Sequence, residues 1–345
     1  MVFFFLLVFI VLFYGVRYKR QGFFSDNLGL DQANAIKGFF VLMVFLGHSV
    51  LSLKTSGFQF LGMIDVWGER IWAEFGQLVV VMFLFYSGYG VMESYREKGR
   101  DYLRSFPRKR VLTTLLNFDI AVLLFVALDL MLDIKLDFKQ IGLSLLAWDS
   151  VGNSNWYIFI ILCSYVAAYL GFRIFPNDKA KSSSLVFLMA LLGMICLSYK
   201  KQVWWYNTLL CFPAGMFFSV YKDWITGFLQ KNYHVVLFAA LGLFLLLHFA
   251  GLPRLHGLTH NVKSVLFAFV IILLTMKVKT GNAVLLWLGI SVFPIYIYQR
   301  IPMIAMTKLL GDGFVCSYPY AFVLICMIVT FFIAWGYRYW RVRLS

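Results

Sequence analysis

Residues 35–49 read AIKGFFVLMVFLGHS, and this stretch decides the fold class of the chain. Its residues are apolar or small except Lys37, near the start, and His48, near the end. A helix needs about 20 mostly apolar residues to cross the hydrocarbon core of a bilayer. We therefore predict a transmembrane helix over residues 35–53. Because an ionisable side chain inside such a helix is costly, Lys37 and His48 are candidates for a functional role.

Similar apolar runs recur along the whole chain. Of its 345 residues, 61% are hydrophobic and 14% are charged, and the mean hydropathy is +0.80. A soluble domain of this size needs far more polar surface. The sequence therefore predicts an all-α, polytopic integral membrane protein with a single membrane domain and about eleven transmembrane helices. The spans are expected near residues 2–17, 35–53, 74–94, 111–132, 155–174, 184–199, 203–221, 233–250, 262–277, 283–303 and 319–338.

The first predicted span differs from the others. Its apolar run is short, begins directly after Met1 and is followed by no small-residue cleavage site. These features favour a retained anchor over a cleaved signal peptide. We divide the chain into an N-terminal anchor helix with a linker, residues 1–34, and a core, residues 35–345.

The basic residues indicate an orientation. The net charge is +15, and 20 of the 31 Lys and Arg residues fall on one side if the spans alternate in direction. Such an excess in short loops marks the cytoplasmic side of a membrane protein and argues against nucleic acid as a partner. We therefore expect a multi-pass protein of the bacterial cytoplasmic (inner) membrane, with its N-terminus outside and its C-terminus in the cytoplasm.

His48 and Lys37 lie in the same predicted span. Lys37 is expected at the cytoplasmic mouth, and His48 lies about 16 Å deeper along the helix. A buried, uncharged histidine can act as a general base towards an acceptor hydroxyl at neutral pH. A structural histidine that is hydrogen-bonded to a neighbouring span fits the residue equally well.

The third span ends in FLFYSGYG, residues 83–90, directly before the most basic segment of the chain. Small residues there allow close helix packing. Alternatively, Ser87 and Tyr89 line a site for an anionic ligand, and Arg108 and Arg110 at the start of the next span bind its phosphate groups. Positive-inside topology explains the same basic cluster.

Several polar and aromatic residues in or beside other spans are candidates for supporting roles. Asp119 is placed to pair with a basic residue at the cytoplasmic mouth, and Trp156 suits either a membrane interface or the face of a sugar ring. Pro294 is expected to kink the tenth span. The supporting candidates are Asp119, Asn155, Trp156, Tyr296, Gln299 and Arg300.

No metal site is expected. The four histidines other than His48 have no carboxylate or cysteine at metal-ligand spacing, and we interpret them as interfacial or loop residues. They are His234, His248, His256 and His260.

The order and spacing of these motifs resemble membrane-bound acyltransferase family 3, whose members are bacterial multi-span acyltransferases that modify cell-surface glycans. The resemblance rests on four features between residues 35 and 300. A basic residue, ten intervening positions and a histidine run from Lys37 to His48, and an aromatic-rich run ends in Ser-Gly-Tyr at Tyr89. The other two are the basic cluster 108–110 and a Trp-Tyr pair, 156–157, with a later Leu-Gly-x-Ser-x-x-x-Ile-Tyr stretch, 288–296.

The resemblance implies an acyl-CoA co-substrate, most often acetyl-CoA, no bound cofactor, and a hydroxyl of a cell-surface or lipid-linked glycan as acceptor. It implies about ten spans, so that the anchor helix is an addition to the core. It assigns His48 as the catalytic base. The residues that it assigns to the donor site are Lys37, Ser87, Tyr89, Arg108 and Arg110.

The chain departs from the family pattern at three positions. Lys37 stands where the family usually has Arg, so the charge is kept but the bidentate phosphate geometry is lost. Thr113 stands where a second Arg often follows Arg110. Gln299 stands where many members have a histidine after the Ile-Tyr stretch.

Two other functions stay open at this stage. A transporter or exporter of a polysaccharide or small molecule would use intramembrane Lys, His and Asp as a pathway, although no internal repeat is visible. A non-catalytic assembly protein for envelope biosynthesis is the second. Stabilisation of the purified protein by CoA would favour the acyltransferase.

Overall fold

The computed structural model describes residues 2–60, 62–250 and 256–344 and shows an almost entirely helical chain, which confirms the predicted all-α class. Two short strands, β1 (Arg17–Tyr18) and β2 (Val278–Lys279), pair in antiparallel fashion. The helices, in chain order, are α1 Val2–Phe13, α2 Leu30–Thr55, α3 Met63–Phe75, α4 Val81–Phe106, α5 Thr113–Met131, α6 Phe138–Leu145, α7 Trp156–Ile174, α8 Lys179–Ser198, α9 Cys211–Phe249, α10 His256–Lys277, α11 Ala283–Ile290, α12 Val292–Tyr298, α13 Arg300–Ser317 and α14 Pro319–Trp340.

The predicted membrane character is confirmed, although the count of eleven spans is not. Among the described residues, seven helices are long and apolar enough to cross a membrane, or eight if one bent pair counts as a span. α1 has 12 residues, which is about 18 Å and shorter than the roughly 30 Å of a hydrocarbon core. It lies against the bundle, where the Phe4 ring stacks on Tyr320 at the start of α14 with a centroid distance of 6.0 Å.

The basic segment 95–110, which we predicted to be a loop, is helical. α4 continues through it to Phe106, and a π-helical turn, Pro107–Leu112, leads into α5. The chain reverses within α4 at Gly99, whose φ of 53° and ψ of −127° are open to glycine because it lacks a Cβ atom. Tyr95, before this point, stacks on Phe172 of α7, and Phe106, after it, contacts Tyr165 further back along α7.

A second prediction of a loop, between spans 203–221 and 233–250, is also wrong. Helical structure runs without interruption through the 39 residues of α9, which would be about 58 Å long if straight. Yet the backbone N–H of Leu210, just before α9, donates to Asn261 of α10, and His248 at the other end of α9 lies close to His260. Both ends therefore reach the same turn of α10, so α9 folds back on itself.

The basic segments that the charge pattern assigned to one side share one end of the bundle. Arg17 in β1 pairs with Lys279 in β2, and Lys222 at the bend of α9 binds Glu93 of α4 at 2.6 Å. Both groups lie beside one cavity of about 1010 Å³, which is lined by residues 22–29, shortly after β1, and by Lys222. We call this the basic end, and the other end of the bundle the opposite end.

α2 lies at the centre and is contacted by α4, α11, α12, α13 and α14. Gly38 and Gly289 allow α2 and α11 to approach so closely that a Cβ atom on either would overlap backbone atoms of the other helix. The span that begins with α11 is broken at Ser291 and bends by 66°. The predicted kink is thus confirmed, since Pro294 has no N–H to donate to the carbonyl of Ile290, four residues earlier.

Candidate active site

One face of α2 forms the centre of the candidate site. Every residue from Gln32 to Val50 is buried except Lys37 and His48, which are half-buried. These two residues are eleven positions apart, or about three helical turns, so they lie on the same face and about 16 Å apart. The only accessible side chains on this stretch of α2 are therefore the two that the sequence singled out.

No hydrogen bond holds His48 in place within the part of the chain that the structure describes. Among the residues that the structure describes, none is hydrogen-bonded to its imidazole, whereas a histidine that joins two spans would have such a bond. The preceding residue, Gly47, leaves room for the indole ring of Trp72, which would overlap a Cβ atom there. Arg300, the first residue of α13, lies close enough for its charge to act on the imidazole. The structure therefore favours a free, chemically available histidine.

The aromatic residues of α4, α7 and α12 form a wall near this face. The Ser87 hydroxyl lies beside the Tyr157 phenol, and the ring of Tyr157 contacts that of Tyr296 at 5.4 Å. Trp156 packs edge-on against Tyr157 at 6.1 Å. Tyr296 precedes Arg300 by four residues, so this wall connects Ser87 with the surroundings of His48.

Three arginines surround a second cavity, of about 590 Å³, at the basic end. Arg110, Arg338 and Arg341 line it together with Ser291 at the helix break. Arg110 is also close enough to Lys37 for the two charges to repel each other. This cavity therefore adjoins the end of the α2 face at which Lys37 lies.

The cations along this line have no acidic partner. In the described parts of the chain, no carboxylate lies within 4 Å of the side-chain nitrogens of Lys37, Arg110 or Arg300. Each of them is half-buried, and the phenols of Tyr102 and Tyr165 lie beside Arg110. Buried charge inside a membrane protein is normally paired, so the arrangement is suited to an anionic ligand.

Several predicted site residues lie elsewhere. Tyr89 points about 200° away from Ser87 around α4, contacts Phe218 and lines the 1010 Å³ cavity. Arg108 is exposed. Asn155 has a structural task, because its Nδ2 donates to the carbonyl oxygens of Ala147 and Asp149.

Three of the supporting candidates, Asp119, Tyr296 and Gln299, have buried side-chain atoms without a hydrogen-bond partner among the described residues; in Tyr296 the atom is the phenol oxygen. For Asp119, we considered a basic partner at the mouth, but its Oδ1 has no hydrogen-bond partner among the described residues. Gln299 is fully buried; its Nε2 donates to the carbonyl oxygen of Tyr296 at 3.0 Å, whereas its Oε1 is likewise unpartnered there. Within the described ranges, no three His, Cys, Asp or Glu side chains are arranged to hold a metal ion.

Sequence reasoning missed four residues that the fold brings to the site. Arg338 and Arg341 were counted only among the basic residues that indicate the orientation. Tyr102 and Tyr165 were not predicted to have a role. Tyr165 follows Tyr157 by two helical turns, which is a signal that a search for a tyrosine stripe on α7 would find.

Comparison with known proteins identifies the family of the chain. A family model described as an acyltransferase domain matches residues 27–339. This match covers most of the chain, which therefore belongs to acyltransferase family 3, as its motifs predicted. No curated protein and no solved structure matches the chain.

Proposed function

We propose that this membrane acyltransferase transfers an acyl group, acetyl being the first candidate, from cytoplasmic acyl-CoA to a hydroxyl of a cell-surface or lipid-linked glycan. The observation that carries the proposal is the α2 face on which Lys37 and His48 are half-buried. Among the described residues, Lys37 at one end has no acidic partner and His48 at the other end has no hydrogen bond. A polyanionic acyl donor would bind at Lys37, and His48 would accept a proton.

The donor would enter from the basic end. The phosphate groups of CoA match the three arginines around the 590 Å³ cavity, because guanidinium groups bind phosphate through paired hydrogen bonds. Lys37 lies beside Arg110 and would hold the next part of the donor. The pantetheine arm would then extend along α2 and bring the thioester to His48.

The chemistry is an acyl substitution at the thioester carbon. His48 removes the proton from the acceptor hydroxyl while the hydroxyl oxygen bonds to the carbonyl carbon. The carbonyl oxygen gains negative charge, which the nearby Arg300 would stabilise. The carbon–sulfur bond then breaks, and the CoA sulfur leaves with the proton that His48 had accepted.

The proposed architecture is a core of ten spans with the short α1 as an anchor. The two reversals, at Gly99 and within α9, support this count, because each divides one long helical segment into two spans. The charge bias supports an orientation in the bacterial cytoplasmic membrane with the basic end and the C-terminus in the cytoplasm.

The test is to follow labelled acetyl from acetyl-CoA into surface polysaccharide in membranes that contain His48→Ala. Loss of a general base costs about 10²- to 10⁴-fold in rate, so incorporation should fall to background. His234→Ala is the matched control, because His234 is exposed at the basic end. Full incorporation with His48→Ala would overturn the assignment.

The broken span favours a second candidate function, since discontinuous helices line the pathway in many transporters. A transporter would move glycan without consuming a thioester. Release of free CoA in proportion to glycan acylation, abolished by His48→Ala, supports the transferase. Glycan movement without CoA release supports the transporter.

A further inference from the structure

A third cavity, with a distinct chemistry, lies at the opposite end of the bundle. It has a volume of about 470 Å³ and lies between the segment that follows α6 and the segment between α8 and α9. Its lining includes Trp148, Asp149, Asn155, Lys201, Gln202 and Trp205. We call it the tryptophan cavity. It combines large aromatic rings with amide, carboxylate and ammonium groups.

The aromatic side of the tryptophan cavity is rigidly built. Trp148, Trp205 and Phe159 contact one another pairwise, with centroid distances from 5.3 to 6.1 Å. The ammonium group of Lys201 lies 4.1 Å from the Trp148 ring and 4.3 Å from the Trp205 ring. It also donates to the carbonyl oxygen of Trp148 at 2.6 Å.

The ammonium group of Lys201 can still donate hydrogen bonds to a ligand in the tryptophan cavity. An ammonium group has three donors, and the bond to Trp148 uses one of them. Burial lowers the pKa of Lys201 below its usual range, while the nearby Asp149 carboxylate opposes this effect. A fixed donor near a fixed acceptor is the pattern with which a cavity orients a hydroxylated ligand.

Buried polar atoms without partners lie in the same two segments. They belong to side chains that are at most 5% exposed, and no hydrogen-bond partner exists for them among the described residues. A native structure rarely leaves such atoms unpaired. The atoms are Asn153 Nδ2, Ser154 Oγ, Asn207 Oδ1 and Thr208 Oγ1. This part of the molecule therefore has more hydrogen-bonding capacity than its own groups use.

The segment that lines one side of the tryptophan cavity also contacts helices of the candidate active site. Gly152, in the segment that lines it, packs on α13 so closely that a Cβ atom would lie 3.0 Å from Ile304, one turn beyond Arg300. Asn155 lines the cavity, and Tyr157, two residues later, contacts Tyr296. The segment that lines the cavity therefore also packs against the helices that carry Arg300 and Tyr296.

We propose that the tryptophan cavity is an acceptor subsite, which binds a sugar unit of the glycan next to the unit that is acylated. A sugar ring has an apolar face of C–H groups, which fits an indole ring, and a rim of hydroxyl groups, which fits Lys201, Asp149 and the amides. This inference rests on the proposed acyl transfer to a glycan. A lipid phosphate fits less well, because it favours several converging cations over neutral amides and a carboxylate.

The test measures sugar binding without any acyl donor, so it does not depend on catalysis. The full-length protein is placed in nanodiscs of phosphatidylcholine. Saturation-transfer NMR is then recorded with the methyl glycosides of glucose, galactose, rhamnose and N-acetylglucosamine. We expect at least one glycoside to give a signal that is lost in both Trp148→Ala and Lys201→Met. Lys139→Met is the control, because Lys139 is an exposed lysine of α6, at the same end and outside the cavity.

Three outcomes would overturn the subsite: no glycoside gives a signal, the signal survives in Lys201→Met, or the wild-type signal disappears when phosphatidylglycerol replaces phosphatidylcholine in the nanodiscs. The last outcome would make the cavity a lipid headgroup site. If Trp148→Ala does not fold, the test uses Lys201→Met and Trp148→Phe, because both substitutions keep most of the size of the original side chain. His48→Ala separates this inference from the proposed function: it should bind the glycoside like the wild type while transferring no acyl group.

Discussion

At Lys37 the chain has an ammonium group where its family usually has a guanidinium group. An ammonium is a compact point charge, whereas a guanidinium offers a planar fork to two phosphate oxygens. Lys37 is half-buried on the α2 face and has Arg110 nearby, so its charge is available to a donor phosphate. The identity of this residue should therefore affect donor affinity more than the chemical step.

The first prediction concerns Lys37. A hydrogen bond to a charged group contributes about 1.5–3 kcal/mol, so Lys37→Ala should raise the KM for acetyl-CoA roughly 10- to 100-fold with a small change in kcat. Lys37→Arg should keep the wild-type KM or lower it. Steady-state release of CoA measures both constants. Lys109→Ala, an exposed neighbour of the mouth, should be neutral, and an equal effect of both alanine variants would contradict a specific role for Lys37.

At the level of single elements, the apolar segments were predictable from the sequence, whereas the connections between them were not. The residues around Gly99 include many good helix formers, and residues 222 to 232 contain a single glycine and no proline, so helical structure continues through both reversals. Local sequence shows where the apolar legs lie but cannot show that a helix bends, because the bend depends on packing against α7 and α10. Pro294 was predictable for the opposite reason, since its missing N–H acts locally.

The contact between α2 and α11 gives the second prediction. A methyl group on Gly38 would overlap the backbone of Leu285 and Gly289, and overpacking of this kind costs about 1–3 kcal/mol. Gly38→Ala should therefore lower the Tm of the protein in nanodiscs and reduce acyl transfer, because Lys37 moves with α2. Gly142→Ala in α6, where a Cβ atom would have no neighbour within 4 Å, should leave both unchanged. An unchanged Tm for Gly38→Ala would show that the two helices are not so close.

For the whole molecule, the arrangement of helices brings together residues that are far apart in the sequence. Arg300 lies 252 positions after His48, and Arg110 is joined by Arg338 in the last helix and by Arg341, which directly follows that helix. Sequence reasoning found His48 and Lys37, because they stand out within an apolar helix. It also named Arg110 and Arg300 as candidates, but it could not place them beside Lys37 and His48, because no local pattern reveals which helices pack together. The proposed mouth of the donor site thus depends on the fold, whereas the proposed base, His48, stood out within a single segment.

The last prediction tests the orientation on which the proposed route of the acyl group depends. Ser25 is exposed and lines the 1010 Å³ cavity at the basic end, whereas Tyr199, 80% exposed, lines the tryptophan cavity at the opposite end. In spheroplasts, a membrane-impermeant maleimide should label Tyr199→Cys at once and Ser25→Cys only after lysis. The wild type, treated in parallel, gives the background from its own cysteines, of which Cys163 and Cys196 are exposed on helices. The reverse labelling would place the 590 Å³ cavity with its three arginines outside the cell, away from cytoplasmic acyl-CoA. The proposed route from the basic end to His48 would then have to be abandoned, even if His48 proved essential.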